Sequence, residues 1–194
     1  MNTQESPHVP LWNIANILTV SRLVMVPLLV WFMFLDGLGW HLAAFTIFVI
    51  AAITDRVDGE LARRRNLVTD FGKIADPIAD KALTGAALVV LSLQGDLWWW
   101  VTIAILVREW GITALRLAVI RYGVMPASKG GKLKTVLQIV AISIYLFPLY
   151  ILPFTELLTW VAHVVMGVAV AVTLWTGLMY VVDATRLTRE RHTA

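Results

Sequence analysis

The chain predicts an all-α integral membrane protein: six transmembrane helices, both termini cytoplasmic, and a short N-terminal amphipathic segment. Three observations predict it. The 194 residues are 59% hydrophobic, with a mean hydropathy of +0.76, whereas soluble domains are usually about half apolar or less. The apolar residues gather in six runs, each about long enough to cross a ~30 Å hydrocarbon core at 1.5 Å per residue. The sixteen Lys and Arg avoid three of the turns between those runs.

The first run, Ile14–Leu35, carries Arg22. Met1–Pro10 ahead of it lacks the basic leader and cleavage site of a secretory signal, so this span is expected to be retained. The second run, Gly37–Thr54, is uncharged, and no Pro separates it from the polar stretch Asp55–Arg63. One helix should therefore carry both. The third, Pro77–Gln94, belongs to a helix that also bears Gly72, Asp76 and Asp80. The fourth, Leu97–Ile120, holds Arg108, Glu109 and Arg116 in otherwise apolar surroundings. The fifth, Thr135–Thr155, follows a glycine- and lysine-rich stretch, and the sixth, Leu157–Val182, leads into an Arg-rich C-terminus.

No Lys or Arg falls in the turns Asp36–His41, Gln94–Leu97 and Leu152–Glu156. Arg63, Arg64, Arg65, Lys73, Arg121, Lys129, Lys132, Lys134, Arg186, Arg189 and Arg191 collect on the other side. That side is the cytoplasm by the positive-inside rule. Trp40, Trp98, Trp99, Trp100 and Trp160 mark the opposite interface, as an aromatic belt does. A net charge of +3 then reflects loops facing anionic headgroups rather than a nucleic-acid partner. With no cysteine there is no disulfide framework and no thiol chemistry. The four histidines have no metal-ligand spacing. No linker or repeat divides the chain, so a single domain spanning 1–194 is expected.

The functional signal is a carboxylate cluster. Asp55, Asp58, Asp76 and Asp80 lie within 26 positions, beside apolar runs. Acids near lipid are costly unless a cation holds them. At about 100° per residue, Asp55, Asp58, Gly59 and Ala62 share one arc of a helix, and Gly72, Asp76 and Asp80 share one face of the next. Carboxylate-only ligation suits Mg²⁺ or Mn²⁺ better than zinc or iron. Two such ions can clamp a phosphoryl centre. Gly59, Ala62 and Gly72 leave room for a bulky group, and Arg63 offers a phosphate partner. The plainer reading pairs these acids with Arg56, Lys73 and Lys81 as interfacial ion pairs.

The pattern Asp55-x2-Asp58-Gly59-x2-Ala62-Arg63-x8-Gly72-x3-Asp76-x3-Asp80 resembles, without a gap, the signature of the CDP-alcohol phosphotransferases. The resemblance implies six spans, a homodimer, and two divalent cations per active site that serve to displace CMP from a CDP-linked substrate. It implies that Asp55, Asp58, Asp76 and Asp80 are metal ligands, with Asp80 also the general base. Gly59, Ala62, Arg63 and Gly72 would line the cytidine diphosphate site. Asn16-x2-Thr19-x2-Arg22 resembles the family's element near the nucleotide, although Ala15 stands where bacterial relatives often have Pro.

The acceptor is read from the fourth span onward. A buried Arg needs an anionic partner. Glu109, adjacent to Arg108, is expected to point elsewhere on the helix, leaving Arg108 for a substrate phosphate. The stretch Ala127–Thr135 is expected to form a loop that folds over a small phosphorylated molecule. Arg108-Glu109 and Ser128-Lys129-Gly130-Gly131-Lys132-Leu133-Lys134-Thr135 resemble the bacterial phosphatidylglycerophosphate synthase branch of the family. That implies CDP-diacylglycerol as donor and sn-glycerol 3-phosphate as acceptor, its phosphate held by Arg108, Arg116 and Lys134, with Lys132 a further candidate. The enzyme would sit among the lipids of the inner (plasma) membrane with its active site toward the cytoplasm. The alternatives are another acceptor, inositol phosphate or phosphatidylglycerol, and, in a different class, a cation- or proton-coupled transporter. Thr173 and Thr176 are the best candidates for polar lining in the sixth span.

Overall fold

A computed structural model describes the backbone of residues 14–64, 70–119 and 129–192. The expected amphipathic segment before Ile14 lies outside the described residues, as do the side chains of Asp58, Gly59, Ala62, Arg63, Gly72, Asp76 and Arg116. Six α-helices are present among the described residues: α1 (Ile14–Met33), α2 (Leu38–Arg64), α3 (Asp70–Gln94), α4 (Trp99–Val119), α5 (Lys129–Leu146) and α6 (Thr155–His192). The protein is all-α. By length and composition, three segments among the described residues suit a membrane crossing: Asn16–Met33, Leu38–Asp55 and Thr155–Thr185. Helices α3, α4 and α5 carry ionisable side chains within their length, which is why apolar length alone does not mark them.

The helix bounds follow local chemistry. Helix α1 gives way at Phe34–Gly37, where Gly37 takes φ +125°, a region that costs any residue with a Cβ. Gly95, at φ +83°, plays the same part between α3 and α4. As expected, α2 runs unbroken from its apolar run through Asp55 and Asp58 to Arg64. The fifth span differs from expectation at both ends. Helix α5 begins at Lys129, so Lys129–Thr135 forms helical turns and not a loop. It ends at Leu146, ahead of Pro148, whose ring disfavours helical backbone in the preceding residue. A 3-10 turn at Leu149–Ile151 follows, and Phe154 adopts φ +65° just before α6.

Two compact units are present, Met1–Ala86 and Ala87–Ala194. In the first, α1 packs against α2, with Leu29, Met33, Ala44 and Phe48 buried. In the second, α6 packs against α4 and α5 around Ile105, Ile142, Leu146 and Ala169. There the hydroxyls of Ser92 and Thr102 share a 2.7 Å hydrogen bond, and Thr102 donates to the Leu88 carbonyl at 3.2 Å. These two buried hydroxyls are thus paired in an apolar interior. The five belt tryptophans are all exposed. His163 sits among Trp98, Tyr145 and Trp160, with ring centroids 5.8–6.2 Å away, a packing role that fits its lack of metal-ligand spacing.

Candidate active site

One group of candidate residues starts on α1. Asn16, Thr19 and Arg22 recur every third residue, and all three are buried. The Arg22 guanidinium lies 2.6 Å from Asp55 Oδ1 on α2, with Arg22 3% exposed and Asp55 35%. The first acid of the signature is therefore tied to α1, a partner outside the set Arg56, Lys73 and Lys81. Asp55 and Asp58 lie one turn apart on α2, and Gly72, Asp76 and Asp80 lie successive turns apart on α3. Asp80 is half-buried. Thr84 donates its hydroxyl to the Asp80 carbonyl at 3.1 Å, closing a helical turn.

Carboxylate oxygens on two continuous helices, with Asp55 and Asp80 both partly exposed, suit hard divalent cations rather than softer ones. The residues present fit Mg²⁺ or Mn²⁺.

A second group of candidate residues lies on α4, α5 and α6. Arg108 Nη1 donates to Glu109 Oε1 at 3.1 Å, correcting the expectation that Glu109 turns away. An arginine stem is long enough to fold back to its neighbour. Lys134 Nζ from α5 also donates to Glu109 Oε1, so a single carboxylate oxygen bridges two cations. Arg108 Nε donates to the Thr173 carbonyl at 3.0 Å, and Nη2 to Thr176 Oγ1 at 2.9 Å, both on α6. A guanidinium has five N–H donors. Three are engaged among the described residues. The side chains of Arg108, Glu109 and Lys134 are all largely shielded, and the Glu109 carboxylate serves both cations.

Lys132 is exposed. Two residues on a helix are about 200° apart, so α5 directs Lys134 inward and does not bring Lys132 into this cluster. Gly177 carries no chemistry to mark it in the sequence, and Thr173 and Thr176 read there only as polar lining; the structure makes all three the seat of Arg108. The available signal was a Thr-x2-Thr-Gly string inside an otherwise apolar span.

The CDP-alcohol phosphatidyltransferase family model matches residues 12–175. A Mycobacterium tuberculosis protein named "Probable phosphatidylglycerophosphate synthase" is 54% identical over 178 residues, covering 90% of this chain and 82% of the relative. A Bacillus subtilis "CDP-diacylglycerol--glycerol-3-phosphate 3-phosphatidyltransferase" is 41% identical over 172 residues, covering 78% of this chain and 88% of the relative. A Shigella flexneri protein of the same name is 36% identical over 178 residues, covering 87% of this chain and 93% of the relative. With one family model spanning most of its length and its signature intact on α2 and α3, the chain belongs to the CDP-alcohol phosphatidyltransferase family.

Proposed function

We propose that the enzyme transfers the phosphatidyl group of CDP-diacylglycerol to sn-glycerol 3-phosphate, releasing CMP and phosphatidylglycerophosphate. The observation that carries the acceptor assignment is the shielded group of Arg108, Glu109 and Lys134, in which three of the five N–H donors of Arg108 are engaged among the described residues. That group suits a small phosphate dianion. A lipid acceptor such as phosphatidylglycerol has little use for it. Membership of a transferase family leaves the transporter reading without support.

Asp55, Asp58, Asp76 and Asp80 hold two divalent cations, Mg²⁺ or Mn²⁺. When bound, these neutralise charge on the pyrophosphate. Asn16, Thr19, Gly59, Ala62, Arg63 and Gly72 line the CDP site, and Arg63 supports the departing phosphate. Arg108, Arg116 and Lys134 hold the acceptor phosphate. Asp80 takes the proton from the primary hydroxyl of glycerol 3-phosphate. The oxygen then bonds to the lipid-side phosphorus, the P–O bond to CMP breaks, and CMP leaves with that electron pair. The proton passes from Asp80 to water.

We read the chain as one domain with six spans. The matched region runs through both compact units, and the distribution of Lys and Arg supports cytoplasmic termini and a cytoplasm-facing site in the inner membrane. A homodimer is part of this reading, by the resemblance alone.

The test is CMP release by detergent-purified protein with Mg²⁺, CDP-diacylglycerol and one acceptor per reaction. Release that requires glycerol 3-phosphate, and is abolished by chelation and restored by Mg²⁺ or Mn²⁺, supports the assignment. Release only with inositol phosphate or phosphatidylglycerol overturns the acceptor.

A further inference from the structure

We propose that Thr176 and Gly177 on α6 are positioning residues for acceptor binding, acting through Arg108 and touching no substrate. The inference rests on the reading of Arg108 as a ligand of the acceptor phosphate. An arginine on a flexible stem binds a phosphate well only if its fork is already aimed, because ordering it costs conformational freedom. Helix α4, which carries Arg108, supplies Glu109 as an anchor, and α6 supplies the other two.

The chemistry at each α6 position is specific. Thr176 Oγ1 donates its proton within its own helix, to the carbonyls of Val172 at 2.8 Å and Thr173 at 3.0 Å. A lone pair is thereby left to accept from Arg108 Nη2 at 2.9 Å. Valine, nearly the same shape, can do neither, whereas serine can do both. At Gly177 the constraint is space. A Cβ there would stand 3.0 Å from Arg108 Cγ and 3.3 Å from Nε, tighter than ordinary van der Waals contact. Since the guanidinium is held at three points, moving Cγ by a few tenths of an ångström displaces its outward N–H groups. The missing side chain at Gly177 is what lets the Arg108 stem lie on α6.

The experiment is steady-state CMP release by the full-length protein in detergent, with KM measured separately for glycerol 3-phosphate and CDP-diacylglycerol. Thr176→Val and Gly177→Ala should each raise the acceptor KM roughly tenfold, the cost of one misplaced hydrogen bond to a charged group. The donor KM should stay within twofold of the parent's, which also shows that the variants are folded. Thr176→Ser should retain the parental acceptor KM. Equal losses for donor and acceptor, or a Thr176→Ser variant as impaired as Thr176→Val, overturn the proposal. Arg108→Ala separates this inference from the reading beneath it. If Arg108→Ala raises the acceptor KM while Thr176→Val and Gly177→Ala leave it unchanged, α6 does not position Arg108 and the acceptor site stands. If Arg108→Ala itself leaves that KM unchanged, the acceptor reading fails and the inference falls with it.

Discussion

Arg22 on α1 and Asp55 on α2 form an ion pair at 2.6 Å, joining a 3%-exposed guanidinium to the first carboxylate of the signature. The pair fastens α1 to α2, a task for Asp55 besides the cation ligation proposed for it. Asp55→Asn removes the charge that compensates a buried arginine, a change that costs about 1–3 kcal/mol when one partner stays partly hydrated. The thermal midpoint in detergent should fall by several degrees along with loss of activity. An inactive Asp55→Asn protein with the parental midpoint would show that the ion pair contributes nothing to the fold.

Asp80→Asn should separate binding from turnover. The amide keeps the shape of the side chain but cannot take a proton from the acceptor hydroxyl. Losing a general base lowers turnover by roughly 10²–10⁴-fold. CDP-diacylglycerol binding, measured by its protection against thermal unfolding, should largely persist. Near-parental turnover would exclude Asp80 as the base.

Glu109→Gln should destabilise the α4–α5–α6 packing. It leaves the shielded Arg108 and Lys134 cations facing each other without their shared carboxylate. Removing one partner of a buried ion pair costs about 3–5 kcal/mol. Adding Lys134→Met removes the repulsion, so the double variant should be more stable than the sum of the two single losses. The midpoints of all four proteins in one detergent decide it, and strict additivity would dissolve the triad as an energetic unit.

Thr173→Val should not lower the thermal midpoint. Arg108 uses the backbone carbonyl of Thr173, which the substitution keeps. The Thr173 hydroxyl is buried without a hydrogen-bond partner among the described residues, and such a group is destabilising relative to an apolar isostere. A fall of several degrees would reveal a partner for the hydroxyl.

The elements most legible in the sequence were those written in local order. The all-helical class and the continuous α2 follow from uninterrupted apolar runs and from the absence of Pro between Ile53 and Arg63. The signature is equally local, since helical periodicity alone puts Asp55 with Asp58 and Asp76 with Asp80. The error at α5 was also local in origin. Two adjacent glycines suggested a loop, but Lys129–Thr135 is helical, its weak propensity overridden by the packing of α5 on α6.

The sequence by itself determined which residue types carry the chemistry and the helical register that groups them, because a helix turns by a constant angle per residue. Only the tertiary structure decided who compensates whom. Arg22 meets Asp55 across 33 positions, Lys134 meets Glu109 across 25, and Arg108 reaches Thr173 and Thr176 across 65 and 68. Buried charges must find partners wherever packing delivers them. That delivery depends on which helices lie side by side, a relation no periodicity encodes.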